Sequence, residues 1–423
     1  MTVLAKIDAQ SCGCDAFDQK QHLISLDAAF DLIAAKTTSI DAIEDVPLGA
    51  ASGRVLKSSV RSGAMVPPFD NSAMDGYAID TDGLMGEGPW QLDVSGRIAA
   101  GQSSVSEVSK TSAIQIFTGA ALPRGADAVV MQEDAQRTGD TILLRHAVKR
   151  GAHVRCAGED MRRGQTIVPA GRRLFSRDIA ACAAAGNATL PVCRMIKAAL
   201  LVTGDEVRQA GSALGAAGIW DVNSPMICAA MSEHPVTLTG VHVAGDTREL
   251  LTSQIATLAK DNDLIVTTGG ISVGEEDHVK PAMTNLGAKI AFSGVALKPG
   301  KPVSFGRLGR AHWLGLPGNP LSAYLTWQLF GTAILQALSG QTQPCTKRRH
   351  VVLSSDLHHK PGRCEMRLAR LSGFDGAGRE IVEFDSATHS GRVARLPDMD
   401  GMLFIPAETE GLPAGALVEF QPF

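Results

Sequence analysis

Residues 263–278 read DLIVTTGGISVGEEDH. An apolar, β-branched run of strand length stops at Gly269 and Gly270, continues through Ser272 and Gly274, and ends on Glu275, Glu276 and Asp277. Such a run, closed by glycines and followed by a helical pattern, predicts a buried strand, a loop and a helix start. Glycines of this kind suit an anion, whereas the acids beside them would repel one.

The same rhythm extends to both sides. From about residue 192 the chain passes through KAALLVTGDEV, a helical SPMICAAM, the strand-like VTLTGVHVAGD, a helical TRELLTSQIATLAK, the opening stretch, KPVSFGRL and HWLGLPGNPLSAYLTWQLF. Alternating β and α units predict a parallel sheet covered on both faces. From about 20 to 60 the pattern reads as helical, with Leu23, Leu26, Ala29, Phe30, Ile33 and Ala34 at helical spacing. Residues 61–150, and the stretch after about 340, read instead as short strands separated by Gly, Pro and Asp turns. The expected class is α/β plus β: a central parallel-sheet domain, a small β domain near the N-terminus and a C-terminal β domain.

A chain of 423 residues is long enough for two to four domains, each with its own core. With 44% hydrophobic residues and a formal net charge of −4, its bulk electrostatics favour neither nucleic acid nor a membrane surface. No stretch approaches the roughly 18 to 20 apolar residues of a membrane span, and the first residues lack an apolar signal core. The eight cysteines form no CxxC pair, which fits a reducing compartment, and a cytoplasmic protein is expected. The close pair Cys12 and Cys14 lies in a polar N-terminal stretch read as a loose tail.

In a doubly wound sheet, ligands sit beyond the carboxyl ends of the strands. Small and polar residues follow a predicted strand in LVTGDEV (Asp205, Glu206), in TTGGISVGEED (Gly269, Gly270, Ser272, Gly274, Asp277) and in LGLPGNPLSA (Pro317, Gly318, Asn319, Pro320, Ser322). Glycines let backbone N–H groups approach an anion, and a following helix N-terminus adds its dipole. None is a GxGxxG or a GxxxxGK[ST], so neither a dinucleotide fold nor a P-loop enzyme is indicated. Taken singly, the Gly269–Gly270 pair is equally a tight turn. Glu206, Asp277 and Asp246 are reconciled with a phosphate if Mg²⁺ is shared between carboxylates and phosphate oxygens. Singly, each is more often a helix cap or a solvated acid, the reading preferred for Glu275 and Glu276. Lys298 and Lys301 flank Pro299 and Gly300, forming either a compact cationic spot for a small tetrahedral oxyanion or a polyphosphate, or a solvated turn. Upstream, PPFDNSAMDGYA holds Asn71, Ser72 and Asp75, FTGAALPRGADAVVMQED holds Thr118, and AGEDMRRG holds Asp160.

In chain order, PPFDNSAMDGYA, FTGAALPRGADAVVMQED, AGEDMRRG, LVTGDEV, TTGGISVGEEDH, LKPGKP and GLPGNPLSA resemble the MoeA family of molybdopterin molybdenumtransferases, related to the gephyrin E domain, and the resemblance extends from about residue 20 to the C-terminus. The resemblance implies a dimeric enzyme that makes molybdenum cofactor and AMP from adenylylated molybdopterin and molybdate, with Mg²⁺. It implies a linker and dimerisation domain from 20–60 and 150–190, a small β domain at 61–149, an α/β molybdopterin-binding domain at 191–340 and a C-terminal β domain at 341–423. The α/β domain resembles the molybdopterin adenylyltransferases, and the active cleft is expected between this domain and the small β domain of the partner subunit. Carried over by motif, Asp75, Thr118, Asp160, Glu206, Asp246, Asp277, Lys298 and Lys301 become catalytic candidates, with Asp246 and Asp277 as the Mg²⁺ ligands. Asn71, Ser72, Asp205, Asn223, Gly269, Gly270, Ser272, Gly274, Pro317, Gly318, Asn319, Pro320, Ser322, Arg367 and Ser390 become substrate contacts. Lys298, Lys301, Ser322 and Arg367 are the expected molybdate group. Two departures fall there: Gly294 stands where relatives often carry a basic residue, and Arg367 sits one place early in MRL where FxR is common.

Adenylyltransferase activity is the second enzymatic reading, although one α/β domain with three accessory ones is the insertase arrangement. A non-catalytic scaffold for cofactor handling is the third. Expected partners are a second copy of the chain, a molybdopterin adenylyltransferase, and downstream molybdoenzymes or their chaperones, without nucleic acid or membrane.

Overall fold

The computed structural model describes residues 23–102, 107–244, 247–271, 277–342, 348–386 and 389–423. Its central sheet has six strands, in the order Val236–Ala244, Ile196–Thr203, Leu264–Thr268, Ala311–Leu316, Ser304–Leu308 and Lys289–Ser293. The first four run parallel, as expected of the alternating pattern. The last two are antiparallel to their neighbours. Between Leu308 and Ala311 lie only Gly309 and Arg310, and a two-residue link makes a hairpin, since a parallel return needs a long crossover.

Side-chain alternation explains why this sheet is covered twice. In Ile196–Thr203, Ala198, Leu200 and Val202 point into one core with Ile227 and Met231 of helix Asn223–Ser232. Ala199 and Leu201 point into another with Leu251, Ile255 and Leu258 of helix Arg248–Asp261 and with Val279 and Met283. A one-residue slip would exchange the two faces, so the register is strongly fixed.

The helical reading of 20–60 holds for Leu26–Lys36, which Ser25 caps through a bond from the Ala28 amide. It fails beyond: Ile43–Pro47 is a strand, antiparallel to Thr189–Cys193. Helix Leu26–Lys36 places Leu26, Ala29 and Ile33 in the first core of the central sheet. Leu23 also explains Gly294, where φ is +106° and a Cβ would come within 2.8 Å of Leu23 Cδ2. A basic side chain at 294 would have to displace the Leu23 side chain and hold a backbone conformation that favours glycine.

Near the N-terminus a second six-stranded sheet runs in the order Ala128–Met131, Gly76–Ile79, Ser112–Ile116, Trp90–Ile98, Thr141–Leu144, Ala135–Thr138. In the C-terminal region Cys364–Phe374, Glu380–Phe384, Arg349–Leu353, Leu417–Pro422 and Gly401–Ile405 follow one another, and the last pairs back to the first, closing a barrel. The short strand Leu297–Lys298 adds to this barrel in parallel with Cys364 and Glu365, tying the KPGKP turn to it.

Candidate active site

The parallel register brings the glycine-rich loops together. Thr268 pairs with Val202 on one side and with Leu316 on the other, so three strands end side by side. Gly204, Gly269 and Pro317 follow those ends and lie on one cleft of about 560 Å³. Its walls include Glu206, Asn223, Thr268, Gly270, Asp277, Gly318, Asn319 and Pro320. This is the crevice where open α/β sheets bind ligands.

Close packing dictates the glycines. Gly269 has φ +89°, and a Cβ there would sit 2.7 Å from Thr203 Oγ1; Gly270 has φ +61°, with Val279 Cγ2 at 2.9 Å from the Cβ position. The floor is held by Asn223, whose Nδ2 donates to Thr268 Oγ1 at 2.6 Å and to the Gly318 carbonyl at 2.7 Å. Asn223 is 8% exposed, and its Oδ1 has no hydrogen-bond partner among the described residues. One buried side chain thus staples two of the loops.

The charge of the cleft is one-sided. Among its described lining residues the charged side chains are Glu206, Asp221 and Asp277, all acidic. Burial pushes the neighbouring Lys280 ammonium below its ordinary range, with the Asp277 charge opposing that effect. Among the described residues no three His, Cys, Asp or Glu side chains gather into a metal cage. Glu206 and Asp277 on the cleft wall fit a hard cation that takes one or two carboxylates and completes its shell with water and phosphate oxygens, as Mg²⁺ does. Asp246, Ser272 and Gly274 lie outside the described residues.

Other expected residues are gathered elsewhere. Asp205 is exposed and is not among the described cleft walls. Leu321 N and Ser322 N both donate to the Ser390 carbonyl, at 3.0 and 3.3 Å, which brings two expected residues together. Those first-turn amides of helix Pro320–Thr326 are thereby occupied. Beside them a pocket of about 420 Å³ is lined by Leu321, Leu368 and Asp385 together with His389, Arg392 and Arg395, and the last three are basic, a type not found among the described walls of the main cleft.

Lys298 and Lys301 do not line the cleft; Pro302, next along the turn, does. Lys298 Nζ lies 3.3 Å from Glu365 Oε2, and Glu365 is 1% exposed. Arg367 Nε reaches Glu365 Oε1 at 3.2 Å, while its Nη2 donates to the His358 carbonyl. Only 4% exposed, Arg367 is spent inside the barrel. The one-place shift in MRL has this consequence: alternation along Cys364–Phe374 turns Arg367 inward and leaves Leu368 on the neighbouring pocket.

A second polar group forms where three separated N-terminal motifs meet. Ala157 N donates to Asp70 Oδ1 at 2.7 Å, Asp160 N to the Val66 carbonyl at 3.0 Å, and Gly119 N to the Ser72 carbonyl at 2.8 Å. Asn71 and Ser72 are buried in this junction, with side chains bonded to the Phe69 and Met74 carbonyls. Thr118 donates to Asp75 Oδ1 twice, from N at 2.8 Å and from Oγ1 at 2.7 Å. The amide first, and then the hydroxyl, hold the Asp75 carboxyl below its ordinary range. Neither Asp75 nor Thr118 is among the described walls of the main cleft.

Sequence reasoning missed Thr203, Thr268, Trp220 and Glu365. The two threonines each end a strand just before a glycine, a position that could have marked them. Glu365 carried no signal, because a buried acid in an alternating strand cannot be told from an exposed one.

Known proteins share this architecture. Family models for the MoeA N-terminal region (domain I and II), a probable molybdopterin binding domain and the MoeA C-terminal region (domain IV) match residues 24–186, 199–337 and 350–423. Molybdopterin molybdenumtransferase 2 of Mycobacterium tuberculosis is 32% identical over 382 residues, covering 88% of this chain and 93% of its own. Molybdopterin molybdenumtransferase of Haemophilus influenzae is 32% identical over 322 residues, 76% of this chain and 79% of its own. The solved molybdopterin biosynthesis moeA protein of Pyrococcus horikoshii OT3 superposes with a TM-score of 0.83 at 26% identity, over 95% of this chain and 100% of that one. With its α/β cleft, β-rich flanking regions and near full-length relatives, the chain belongs to the MoeA family of molybdopterin molybdenumtransferases, transferases of molybdenum cofactor biosynthesis.

Proposed function

We propose that this enzyme acts on adenylylated molybdopterin and molybdate in the cleft at the strand ends, giving molybdenum cofactor and AMP with Mg²⁺. The observation that carries this reading is the acidity of a glycine-walled cleft: Glu206, Asp221 and Asp277 face space shaped by Gly204, Gly269, Gly270 and Gly318. A pyrophosphate enters such a cleft only with a cation. Mg²⁺, when bound, would neutralise the phosphate oxygens and polarise the phosphoanhydride.

The residues then divide the work. Gly269 and Gly270 give room for phosphate oxygens, Asn223 keeps the loops at fixed spacing, and Asp277 and Glu206 hold the cation, with Asp246 as a further ligand. Lys298 and Lys301 attract molybdate by charge. Asp75 and Thr118 act from the partner subunit of a homodimer, which accounts for functional-type residues that are not among the described cleft walls. In that role Asp75, held ionised by Thr118, orders water or metal.

Incubation of the protein with adenylylated molybdopterin tests this reading. AMP and molybdenum cofactor should appear only when both Mg²⁺ and molybdate are supplied. ATP-dependent adenylylation of molybdopterin by the protein alone would favour the adenylyltransferase reading. Absence of any turnover would favour a scaffold. A monomer in sedimentation would remove the shared cleft.

A further inference from the structure

Trp220 stands out once the cleft is defined. It is 52% exposed and its neighbour Ile219 54%, although a large apolar side chain gains most when covered. Among the described lining residues Trp220 is the only aromatic one, and no Lys, Arg or His lines the cleft beside it. Its exposure is not the result of a loose strand end. Ile219 and Trp220 pair in parallel with Val207 and Arg208, Ile219 N donates to the Glu206 carbonyl at 2.9 Å, and Asp221 N donates to the Arg208 carbonyl at 2.7 Å. The indole Nε1 donates to the Ser212 carbonyl at 3.0 Å. The ring is thus fixed by its polar edge, and its π surface is not consumed by the core.

We propose that Trp220 is the stacking platform for a flat nitrogen heteroaromatic ring of the substrate, with the acids and glycine loops receiving the phosphates. The inference rests on the cleft assignment above, and it adds the group that recognises the ring. An indole face suits such a ring because stacking requires no matching hydrogen-bond pattern. In adenylylated molybdopterin the ring could be adenine or the pterin, and both present the same chemistry to Trp220.

The chain carries its own reporter. Of its four tryptophans, Trp313 and Trp327 are fully buried, and Trp90 lies in the N-terminal sheet, where its Nε1 donates to the Met85 carbonyl at 2.8 Å. AMP, a simple pterin and ribose 5-phosphate are titrated with Mg²⁺ against the full chain, Trp220→Ala, Trp220→Phe and Trp90→Phe. Calorimetry gives the affinity and tryptophan emission the stacking. AMP, the pterin or both should quench the wild type and Trp90→Phe. Trp220→Ala should lose that quench and bind the ring ligand roughly 5- to 100-fold more weakly, the range expected of one base–aromatic stack. Trp220→Phe should keep most of the affinity, and ribose 5-phosphate should bind all variants alike. Which ligand loses affinity names the ring.

Two results would overturn the proposal. If the wild type binds AMP or the pterin and Trp220→Ala binds it equally well, Trp220 is not the platform while the cleft assignment stands. If the wild type binds none of the three ligands, the cleft assignment falls and this inference with it. Because the side chain is half exposed, Trp220→Ala should melt with the wild type, which separates lost stacking from lost folding.

Discussion

Lys298 Nζ sits 3.3 Å from Glu365 Oε2, and the strand register makes these two residues direct partners, one on the KPGKP turn and one inside the C-terminal barrel. The pair is asymmetric. Glu365 is 1% exposed, and its other oxygen engages Arg367 at 3.2 Å, whereas the Lys298 side chain is 41% exposed. The third group nearby is His359, 3.7 Å away through Nε2. Its Nδ1 lies 2.6 Å from the Thr409 carbonyl, which only accepts, so Nδ1 carries a proton.

Removing a buried carboxylate strands the buried cation beside it, so Glu365→Gln should cost about 3 kcal/mol or more in denaturant unfolding. Lys298→Met should cost under about 1 kcal/mol, because its ammonium is screened by solvent. The proposed role of Lys298 places its effect on the molybdate concentration needed for half-maximal AMP release. Equal stability losses in the two variants would contradict the asymmetry.

Asn223 ties Thr268 to Gly318, so its loss should loosen two cleft loops at once. Asn223→Ala leaves the Gly318 carbonyl short of a donor and should destabilise the fold by about 1–3 kcal/mol. Hydrogen exchange should rise at residues 268–271 and 317–319 before it rises in the sheet. Unchanged exchange there would show that the staple is not limiting.

Gly269→Ala should be worse than an ordinary glycine replacement. The backbone has φ +89°, and the new Cβ would meet Thr203 Oγ1 at 2.7 Å and the Thr203 carbonyl oxygen at 2.9 Å. A loss of about 2 kcal/mol or more in thermal or denaturant unfolding is expected. Gly139→Ala also has positive φ, +60°, but its Cβ would meet nothing within 4 Å, so it supplies the comparison without the clash. Similar losses at the two positions would rule out crowding at the cleft floor.

Acid should destabilise the protein through two histidines, His312, which is buried, and His234, which is half-buried. Burial, with a lesser contribution from Arg173, pushes His234 down to about 4; burial, with Arg307, does the same to His312. Native pKa values below the unfolded value of 6.5 mean that the unfolded chain binds the extra protons. The stability is present above about pH 6.5 and is lost as pH falls towards 4. His312 stacks on Phe305 at a centroid distance of 5.9 Å, so His312→Phe preserves an aromatic packing there. Its melting temperature should fall less than that of the wild type between pH 6.5 and 4. Parallel curves would exclude His312 as a source.

Much of the site was legible because glycine after a β-branched run has few other uses. LVTGDEV, IVTTGG and LGLPGNP each announced a strand end, and a parallel sheet aligns such ends without further information. Four things were not legible. The antiparallel pairing of Ser304–Leu308 with Ala311–Leu316 depended on one two-residue link, Gly309–Arg310, inside a pattern that otherwise alternated. The meeting of Asp75 with Thr118 is a contact across 43 positions, which periodicity does not encode. Arg367 fell in the expected molybdate group, whereas its partner Glu365, two residues away, lies on the same side of a strand whose burial only the closed barrel establishes. Trp220 was passed over because a two-residue strand leaves no periodic trace.

Single-turnover release of AMP from adenylylated molybdopterin by Asp277→Asn, with Mg²⁺ and molybdate saturating, bears most directly on the cleft. Asp277 is one of three acids among the described walls, and its assignment to the cation predicts a fall of at least about 100-fold, with unchanged unfolding. AMP release at the wild-type rate would place the chemistry elsewhere.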